Sequence, residues 1–346
     1  MTRSAEVTQP RAAGGTVPGL SLPSVPDDLS DELQRGLAEV DALLRREVDH
    51  DDPFIAGANS HLIEAGGKRF RPLLTLLAAQ LGTGTNPDVV AAAAGVELTH
   101  VASLCHDDVM DEADVRRGAP SANARYGNST AILVGDLLFG TASSIIADLG
   151  AEAVKIQAET FVRLCAGQIR DTRRAPEGTD PVEYYLGVLA DKTGVLIATA
   201  ARYGAMFSGC DAATVEVMRE FGERIGMAFQ LADDLIDVSS DEAELGKTPG
   251  TDLREAKRTL PVLYALASDD PSDARLQELL QRDLREDEDA LAEALGLLRG
   301  NAAMERAREH TAAVARRAQE VLEPLPEGAA KDALHALATS VVTRVG

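Results

Sequence analysis

The chain has 346 residues, with 34 basic and 56 acidic side chains and a formal net charge of −22. This excess of negative charge disfavours binding to nucleic acid or to an anionic membrane surface, so a phosphate-bearing ligand needs a local cluster of basic residues. The N-terminus lacks the apolar core of a signal peptide, and no later run reaches the roughly 18 apolar residues of a spanning helix. We therefore expect a cytoplasmic protein without a transmembrane segment.

The first residues are rich in Pro, Gly, Ser and Thr, which predicts a flexible tail over 1–26. From Asp27 onward, apolar residues recur at helical spacing, as in the stripe from Leu29 to Val48. Alternation of β-branched residues is nearly absent, and no repeat or change of composition divides the chain. The pattern predicts a single all-α domain over 27–346, built from ten or more helices.

Turn-forming residues separate the predicted helices. The expected breaks are Gly66-Gly67, Gly82 to Pro87, Gly118 to Pro120, Gly127-Asn128, Gly178 to Pro181, Ser208 to Asp211, Gly246 to Gly250 and Asp269 to Pro271. Cys105, Cys165 and Cys210 lie within apolar helical patterns and lack the spacing of a zinc site, so we expect them to be reduced and structural.

One predicted helix ends in an acidic sequence, HDDVMDEADVRRG. His100, Ser103, Asp107 and Asp111 are spaced by three, four and four residues, so they share one helical face. The residues upstream are small or apolar, which predicts that most of this helix is buried. Asp107 and Asp111 are then side by side at its solvent-exposed end.

A second acidic helix occurs more than a hundred residues later, in GMAFQLADDLID. Gln230, Asp233 and Asp237 share one face of it, with Asp234 beside them. A weaker acidic element, GQIRD, places Asp171 at the end of another apolar helix.

Clustered carboxylates raise one another's pKa unless a cation neutralises them. Oxygen ligands without a His or Cys partner favour magnesium, which binds through one or two carboxylates together with substrate phosphates. A single D-D-x-x-D sequence in a chain with 56 acidic residues is more often a solvated helix end. Two copies on apolar helices favour a metal site.

Basic residues cluster at glycine-flanked helix boundaries, where backbone and guanidinium groups can surround a phosphate. These residues are Lys68, Arg69, Arg71, Arg116, Arg117, Lys192, Lys247 and Lys257.

On these motifs, in this order, the chain resembles the trans-polyprenyl diphosphate synthases, the head-to-tail isoprenoid prenyltransferases. The similarity runs from about Asp27 to near the C-terminus through GGKRFRP, LCHDDVMDEADVRRG, GQIRD, DKTG, GMAFQLADDLID and GKTPGTDLREAKRTLP. It implies the isoprenoid synthase fold, in which helices surround a central cavity, and a homodimer.

The resemblance also implies a role for each matching residue. Those implied to bind isopentenyl diphosphate are Lys68, Arg71, His100 and Arg117. Those implied to contact the allylic diphosphate or its metals are Arg116, Lys192, Thr193, Gln230, Lys247 and Lys257. The implied ligands of Mg²⁺, at about three ions per site, are Asp107, Asp111, Asp171 and Asp233, with Asp234 and Asp237 less direct. Asp107, Asp111, Arg116, Lys192 and Asp233 are the expected catalytic set.

The charges of the site agree with this chemistry. Metal and arginines make the allylic diphosphate a good leaving group, and its departure leaves an allylic carbocation. The double bond of isopentenyl diphosphate attacks the cation, and loss of one proton restores a trans alkene, with pyrophosphate as the base that the resemblance implies. No enzymic nucleophile is needed, and no convincing nucleophile-base set is present.

Product length depends on the residues one turn upstream of Asp107, since one isoprene unit is about as long as a helical turn of roughly 5.4 Å. Ala102 and Ser103 occupy these positions. In the family, aromatic residues there accompany C15 or C20 products, so small residues imply about C30 to C50, as for a quinone side-chain precursor delivered to a membrane. The floor of the channel is then expected deeper, at Phe139 or Ile145, or at Leu98 and Val101.

Alternative functions are a shorter-chain C15–C20 synthase, a class I terpene cyclase and a non-catalytic subunit that binds prenyl diphosphate. A cyclase usually carries an Asn/Ser/Glu metal motif where this chain has DDLID, and it lacks the isopentenyl diphosphate site at Lys68 and Arg71. Degenerate subunits generally lose acidic motifs that are intact here. One departure from the family pattern is the C-terminus, where Arg344 stands alone before Val345 and Gly346, so the sequence does not decide whether this segment closes the site.

Overall fold

The computed structural model describes residues 25–239 and 250–343. These residues form α-helices and one very short β-hairpin, which confirms the predicted all-α class with more than ten helices. The tail expected over 1–26 lies almost wholly outside the described residues, and Lys247 and Arg344 lie outside them too.

The elements follow one another along the chain with short connections. They are α1 (Asp27–Glu47), α2 (Pro53–Glu64), α3 (Phe70–Ala79), α4 (Pro87–Met110), β1 (Val115–Arg116), β2 (Ala119–Pro120), α5 (Ala122–Tyr126), α6 (Asn128–Asp148), α7 (Ala151–Asp171), α8 (Pro181–Leu189), a π-helical segment (Ala190–Gly194), α9 (Val195–Phe207), α10 (Ala212–Ser239), α11 (Thr251–Arg254), α12 (Leu260–Leu266), a 3₁₀ turn (Pro271–Asp273), α13 (Ala274–Leu280), α14 (Glu288–Arg299), α15 (Ala302–Val321) and α16 (Ala329–Thr343).

Several helices begin where the sequence supplies a capping side chain followed by proline. The carboxylate of Asp52 accepts from the Phe54 N–H at the start of α2, the amide oxygen of Asn86 caps α4, and Asp180 caps α8. Each is followed by proline, whose missing N–H costs nothing in the first helical turn. The breaks expected at Gly82 to Pro87 and Gly178 to Pro181 fall at two of these starts.

The core is built around α4, which packs against α1, α3, α6 and α9. Close approach depends on small residues at helix crossings. A Cβ on Gly204 of α9 would lie 2.1 Å from the Thr75 carbonyl oxygen of α3, and one on Gly95 of α4 would lie 2.7 Å from the Ile146 side chain of α6. The three cysteines are free, as predicted.

Two helices, α4 and α6, are long and apolar enough to cross a membrane by length and composition alone. In α4 the most apolar stretch is 72% buried in the protein, which identifies it as a core helix. In α6 only 33% is buried, so this helix presents an apolar face to its surroundings.

The hairpin between α4 and α5 was not predicted. It pairs Arg116 with Ala119 and turns through Arg117 and Gly118, which both have positive φ, 55° and 77°. Two central residues with positive φ are typical of the tight turn that joins antiparallel strands. The hairpin carries both predicted arginines back toward the end of α4.

Candidate active site

The three carboxylates of the first acidic motif lie in two different environments at the end of α4. Asp107 is half-buried, and Asp111 is the exposed C-cap, whose N–H donates to the Asp107 carbonyl. Asp108 points the other way, is completely buried, and accepts from Arg116 Nε at 2.6 Å. Asp107 and Asp111 are therefore the two members available to a ligand, while Asp108 anchors the hairpin.

Lys192 lies within electrostatic reach of this motif. Burial raises the pKa of the Asp107 carboxyl, and the charge of Lys192 is the largest influence that lowers it. The Lys192 ammonium also donates to Asp171 Oδ2 at 2.7 Å, so a residue of α7 joins the same group. Three predicted site residues from three elements are thus brought together.

Lys192 and Thr193 belong to the π-helical segment between α8 and α9. Such segments are rare, and they occur most often at functional sites. Here the segment rests directly on α7, because a Cβ on Gly167 would lie 2.5 Å from the Lys192 backbone nitrogen. Asp191 is held by Arg163 at 2.9 Å and by Arg170 at 2.8 Å, both of α7.

The second acidic motif lies on α10, where its three aspartates differ in exposure. Asp233 is exposed, Asp237 is half-buried, and Asp234 is 5% exposed. Both oxygens of Asp234 accept hydrogen bonds, one from the Tyr185 hydroxyl and one from Gln230 Nε2 at 3.0 Å. Asp234 is therefore the least accessible of the three.

Lys257 connects the second acidic motif to the first. Asp237 accepts from the Asp252 N–H at 3.1 Å, and Lys257 Nζ lies 3.8 Å from Asp252 Oδ1 and 2.5 Å from Glu255 Oε2. Although burial opposes its charge, Glu255, Asp252 and Asp111 raise the pKa of Lys257. Asp111, at the end of α4, is the last of these charges, so Lys257 lies within electrostatic reach of both acidic motifs.

A cluster of cationic side chains lies beside the first motif. Burial, followed by the charges of Arg71, Arg117, Arg116 and Arg69, holds the pKa of His100 well below its usual range, so His100 is neutral at pH 7. Burial lowers the pKa of Arg71 to about 10, and the nearby Glu97 only partly compensates.

Arg69 and Arg71 differ in what they contact. Arg69 is fully engaged, with Asp41 at 2.9 Å, Glu97 at 3.0 Å and the Ile63 carbonyl at 3.1 Å. Arg71 Nε is buried without a hydrogen-bond partner. A buried, unpaired guanidinium N–H is costly, and an anionic ligand would remove this cost.

Arg117 is held in place by backbone carbonyls of the last turn of α2 and of the loop that follows it. Its guanidinium donates to the Leu62 carbonyl at 2.9 Å and to the Gly66 carbonyl. A Cβ on Gly67 would lie 2.9 Å from Arg117 Cζ, and Gly67 has φ +147°, so glycine suits this position. The Gly66-Gly67 break thus cradles a predicted substrate-binding arginine.

Among the residues that the structure describes, no group of three or more His, Cys, Asp or Glu side chains could hold a metal ion by itself. The acidic side chains could instead offer a metal ion one or two carboxylate ligands at a time. This donor set fits Mg²⁺, which keeps several waters and takes substrate phosphates as ligands. It does not fit zinc, which needs nitrogen or sulfur donors in a closed protein site.

Other predicted residues have simpler surroundings. Lys68 is exposed in the loop between α2 and α3. Ala102 is completely buried against α6, with its carbonyl 3.2 Å from where a Gly135 Cβ would be, whereas Ser103 is half-buried.

Three residues that shape the site were missed in the sequence. Asp252 lies within the GKTPGTDLREAK motif and could have been identified by its position between the two lysines. Asp108 is adjacent to the predicted ligand, and its role became visible only with the hairpin. No local sequence pattern marks Tyr185, because its partner Asp234 lies 49 residues away on a different helix.

The all-α fold thus carries two acidic motifs and, beside the first of them, a half-buried cluster of arginines around His100. A family model described as Polyprenyl synthetase matches residues 52–298. The chain belongs to this family and is a prenyltransferase.

Three relatives illustrate the similarity. The nonaprenyl diphosphate synthase of Mycobacterium tuberculosis is 48% identical over 317 residues, covering 91% of this chain and 94% of that protein. The geranylgeranyl pyrophosphate synthase from Corynebacterium glutamicum, solved with calcium and isoprenyl diphosphate, has 42% identity and a TM-score of 0.83, with 93% of this chain and 98% of that chain covered. A decaprenyl diphosphate synthase from Rhodobacter capsulatus has 35% identity and a TM-score of 0.83, and the match covers 92% of this chain and 99% of that chain.

Proposed function

We propose that the chain is a Mg²⁺-dependent trans-polyprenyl diphosphate synthase, which adds isopentenyl diphosphate to an allylic diphosphate. The observation that supports the proposal is the contact of Lys257 with Asp252, 3.8 Å apart, and of Asp252 with Asp237, near enough to the end of α4 for Lys257 to be influenced by the charge of Asp111. The cationic cluster on the other side of Asp107 supplies a separate place for the second diphosphate.

In this proposal, Asp107 and Asp111 act with Asp171, Asp233 and Asp237 as the carboxylates that hold about three Mg²⁺ ions with the allylic diphosphate. Bound metal would supply the positive charge that makes the diphosphate a better leaving group. The Asp234 oxygens already accept two hydrogen bonds, so its role is to orient neighbouring groups.

The residues that bind the allylic diphosphate in this scheme are Lys192, Thr193, Gln230, Lys257 and Arg116. Lys247, which lies outside the described residues, is assigned to the same group by its motif. When the C–O bond to the diphosphate breaks, its electron pair leaves with pyrophosphate, and Lys192 and Lys257 counter the negative charge.

The cationic cluster of Arg71, His100 and Arg117, together with Lys68, binds isopentenyl diphosphate. Arg71 Nε gains the acceptor that it lacks in the free protein. The π electrons of the isopentenyl double bond form the new C–C bond to the allylic cation, and one proton leaves to regenerate an alkene. His100 can donate a ring N–H to phosphate from beside these arginines.

We propose a long product of about C30 to C50, as a precursor of quinone side chains that is delivered to a membrane. The support is the small size of Ser103, one turn before Asp107, and the nonaprenyl and decaprenyl relatives. Phe139 favours the C15–C20 alternative, because its ring lies 5.7 Å from His106 and 4.3 Å from Phe161, near the motif rather than deep in the bundle.

The experiment that tests this function incubates the purified chain with Mg²⁺, isopentenyl diphosphate and a C10, C15 or C20 primer in turn. Product mass gives both primer preference and chain length. We expect products of about C30 to C50 that depend on both substrates and on Mg²⁺. A hydrocarbon formed without isopentenyl diphosphate would support a cyclase, and an inactive chain would support a binding subunit.

We further propose that the protein is a cytoplasmic homodimer paired through α6 and α7. Leu133 on α6 is 65% exposed and Val162 on α7 is 67% exposed, and both helices expose further apolar side chains. A second copy suits this surface better than a bilayer does, because Asp136 projects from α6 with 61% of its side chain exposed. An unpartnered apolar surface of this kind is typical of an interface between subunits.

A further inference from the structure

Tyr185 stands outside every motif of the sequence, yet it contacts the centre of the second acidic motif. Its hydroxyl, on α8, donates to Asp234 Oδ2 on α10. Burial, followed by the charge of Asp234, raises the pKa of Tyr185 well above its usual value, so the hydroxyl keeps its proton and remains a donor at neutral pH. The bond therefore persists wherever Asp234 is ionised.

The Asp234 carboxylate, held by Tyr185, in turn fixes the orientation of the Gln230 side chain. Because a carboxylate can only accept, the amide NH₂ of Gln230 must face Asp234, and Nε2 lies 3.0 Å from Oδ1. The Gln230 carbonyl oxygen then faces the π-helical segment, where the Thr193 hydroxyl lies 3.4 Å away. The orientation of the amide is thus fixed by a carboxylate that is itself held by a tyrosine.

We propose that Tyr185 is a positioning residue of the allylic diphosphate subsite, acting through Asp234 on Gln230 and Thr193. Without the hydroxyl, the buried Asp234 carboxylate loses one of its two partners and can rotate, and the Gln230 amide is no longer held in one orientation. The second N–H of the amide, which is left for a phosphate oxygen, is then poorly placed. This inference rests on the assignment of Gln230 and Thr193 to the allylic diphosphate under the proposed function.

The adjacent tyrosine provides a matched control. The Tyr184 hydroxyl donates to the Arg170 carbonyl oxygen at 3.0 Å, on α7, and does not enter the Asp234 group. Tyr184→Phe and Tyr185→Phe therefore remove the same atom from neighbouring positions of one helix.

The test compares Tyr185→Phe, Tyr184→Phe, Gln230→Ala and the Tyr185→Phe/Gln230→Ala double variant. For each, kcat, the KM of each substrate and the thermal midpoint are measured. We expect Tyr185→Phe to raise the KM of the allylic diphosphate about tenfold, the loss typical of one hydrogen bond to a charged group. The KM of isopentenyl diphosphate stays close to that of the wild type, although the thermal midpoint decreases because the buried Asp234 carboxylate loses a hydrogen-bond partner. Tyr184→Phe keeps the wild-type KM of both substrates.

The double variant tests the route of the effect. If Tyr185 acts through Gln230, Tyr185→Phe adds nothing once Gln230 is alanine, and the two effects are strongly non-additive. Additive effects, a wild-type KM in Tyr185→Phe, or an equal loss for both substrates would each overturn the inference. An impaired Gln230→Ala beside a normal Tyr185→Phe leaves the proposed function intact, whereas wild-type kinetics in both would also remove Gln230 from the allylic subsite.

Discussion

Ser103 lies on α4 one turn before Asp107, and its hydroxyl donates to the His100 carbonyl at 2.8 Å. Its neighbour Ala102 is completely buried against α6, so of the two residues implied in chain length, Ser103 has the more accessible side chain. Leu98 and Val101 are also completely buried in the core between α4 and α6. We therefore propose that any control of product length by this region centres on Ser103.

We predict that Ser103→Phe shortens the main product by at least about one isoprene unit, because a ring there occupies the length of roughly one helical turn. Ser103→Ala is the control and leaves the product unchanged, since it keeps a small side chain. Product masses from the same primer measure the effect. An unaltered product in Ser103→Phe would show that the chain grows elsewhere.

At the scale of elements, the sequence predicted the all-α class and the two helices that carry the acidic motifs. The breaks at Gly82 to Pro87 and Gly178 to Pro181 located the starts of α4 and α8, and the second acidic motif lies on one helix, α10, as its spacing predicts. Helical spacing could not reveal the π-helical segment, nor the bond from Arg116 to Asp108, which depends on the hairpin folding back onto the end of α4. Tyr185 was missed because its partner Asp234 lies 49 residues away in the sequence.

The crossing of α7 with the π-helical segment gives a prediction for Gly167. An added Cβ would lie 2.5 Å from the Lys192 nitrogen and 2.8 Å from the Asp191 carbonyl carbon, so Gly167→Ala must displace the segment. We expect kcat/KM for the allylic diphosphate to fall about tenfold or more, from overpacking at a positioned group. Gly296→Ala on α14, where a Cβ meets nothing within 4 Å, is the control. Wild-type kinetics in Gly167→Ala would contradict the need for this close contact.

The junction of α10 and α11 gives a pH prediction. Burial, followed by the charges of Asp234 and Asp237, raises the pKa of Asp252. A carboxyl with a raised pKa binds its proton more tightly in the folded state, so the contribution of Asp252 to the free energy of unfolding decreases as pH rises from about 4 toward neutrality, then levels off.

Asp252→Asn removes this titrating carboxyl. We therefore expect the thermal midpoint of the variant, measured without divalent metal, to decrease less steeply with pH than that of the wild type over the same range. Asp283→Asn is the control, because Arg285 lowers the pKa of Asp283 and gives the opposite sign. An unchanged slope in Asp252→Asn would show that Asp252 ionises normally.

At the scale of the whole molecule, the apolar surface of α6 and α7 predicts the oligomeric state. Leu133→Glu combined with Val162→Glu places two charges where the second copy is proposed to pack, so we expect a monomer by light scattering. Leu297→Glu on α14, another exposed apolar position, is the control and should remain a dimer. A double variant with the wild-type mass would place the interface elsewhere.

The central claim is that two separate acidic helices hold one diphosphate through Mg²⁺. Calorimetric titration with a non-ionising allylic thiodiphosphate, with and without Mg²⁺, tests it on the wild type, Asp107→Ala and Asp233→Ala. We predict tight binding to the wild type only with Mg²⁺, and a large loss in either variant while its thermal midpoint is retained. Binding that needs no Mg²⁺, or that survives the loss of Asp107 or of Asp233, would contradict the account.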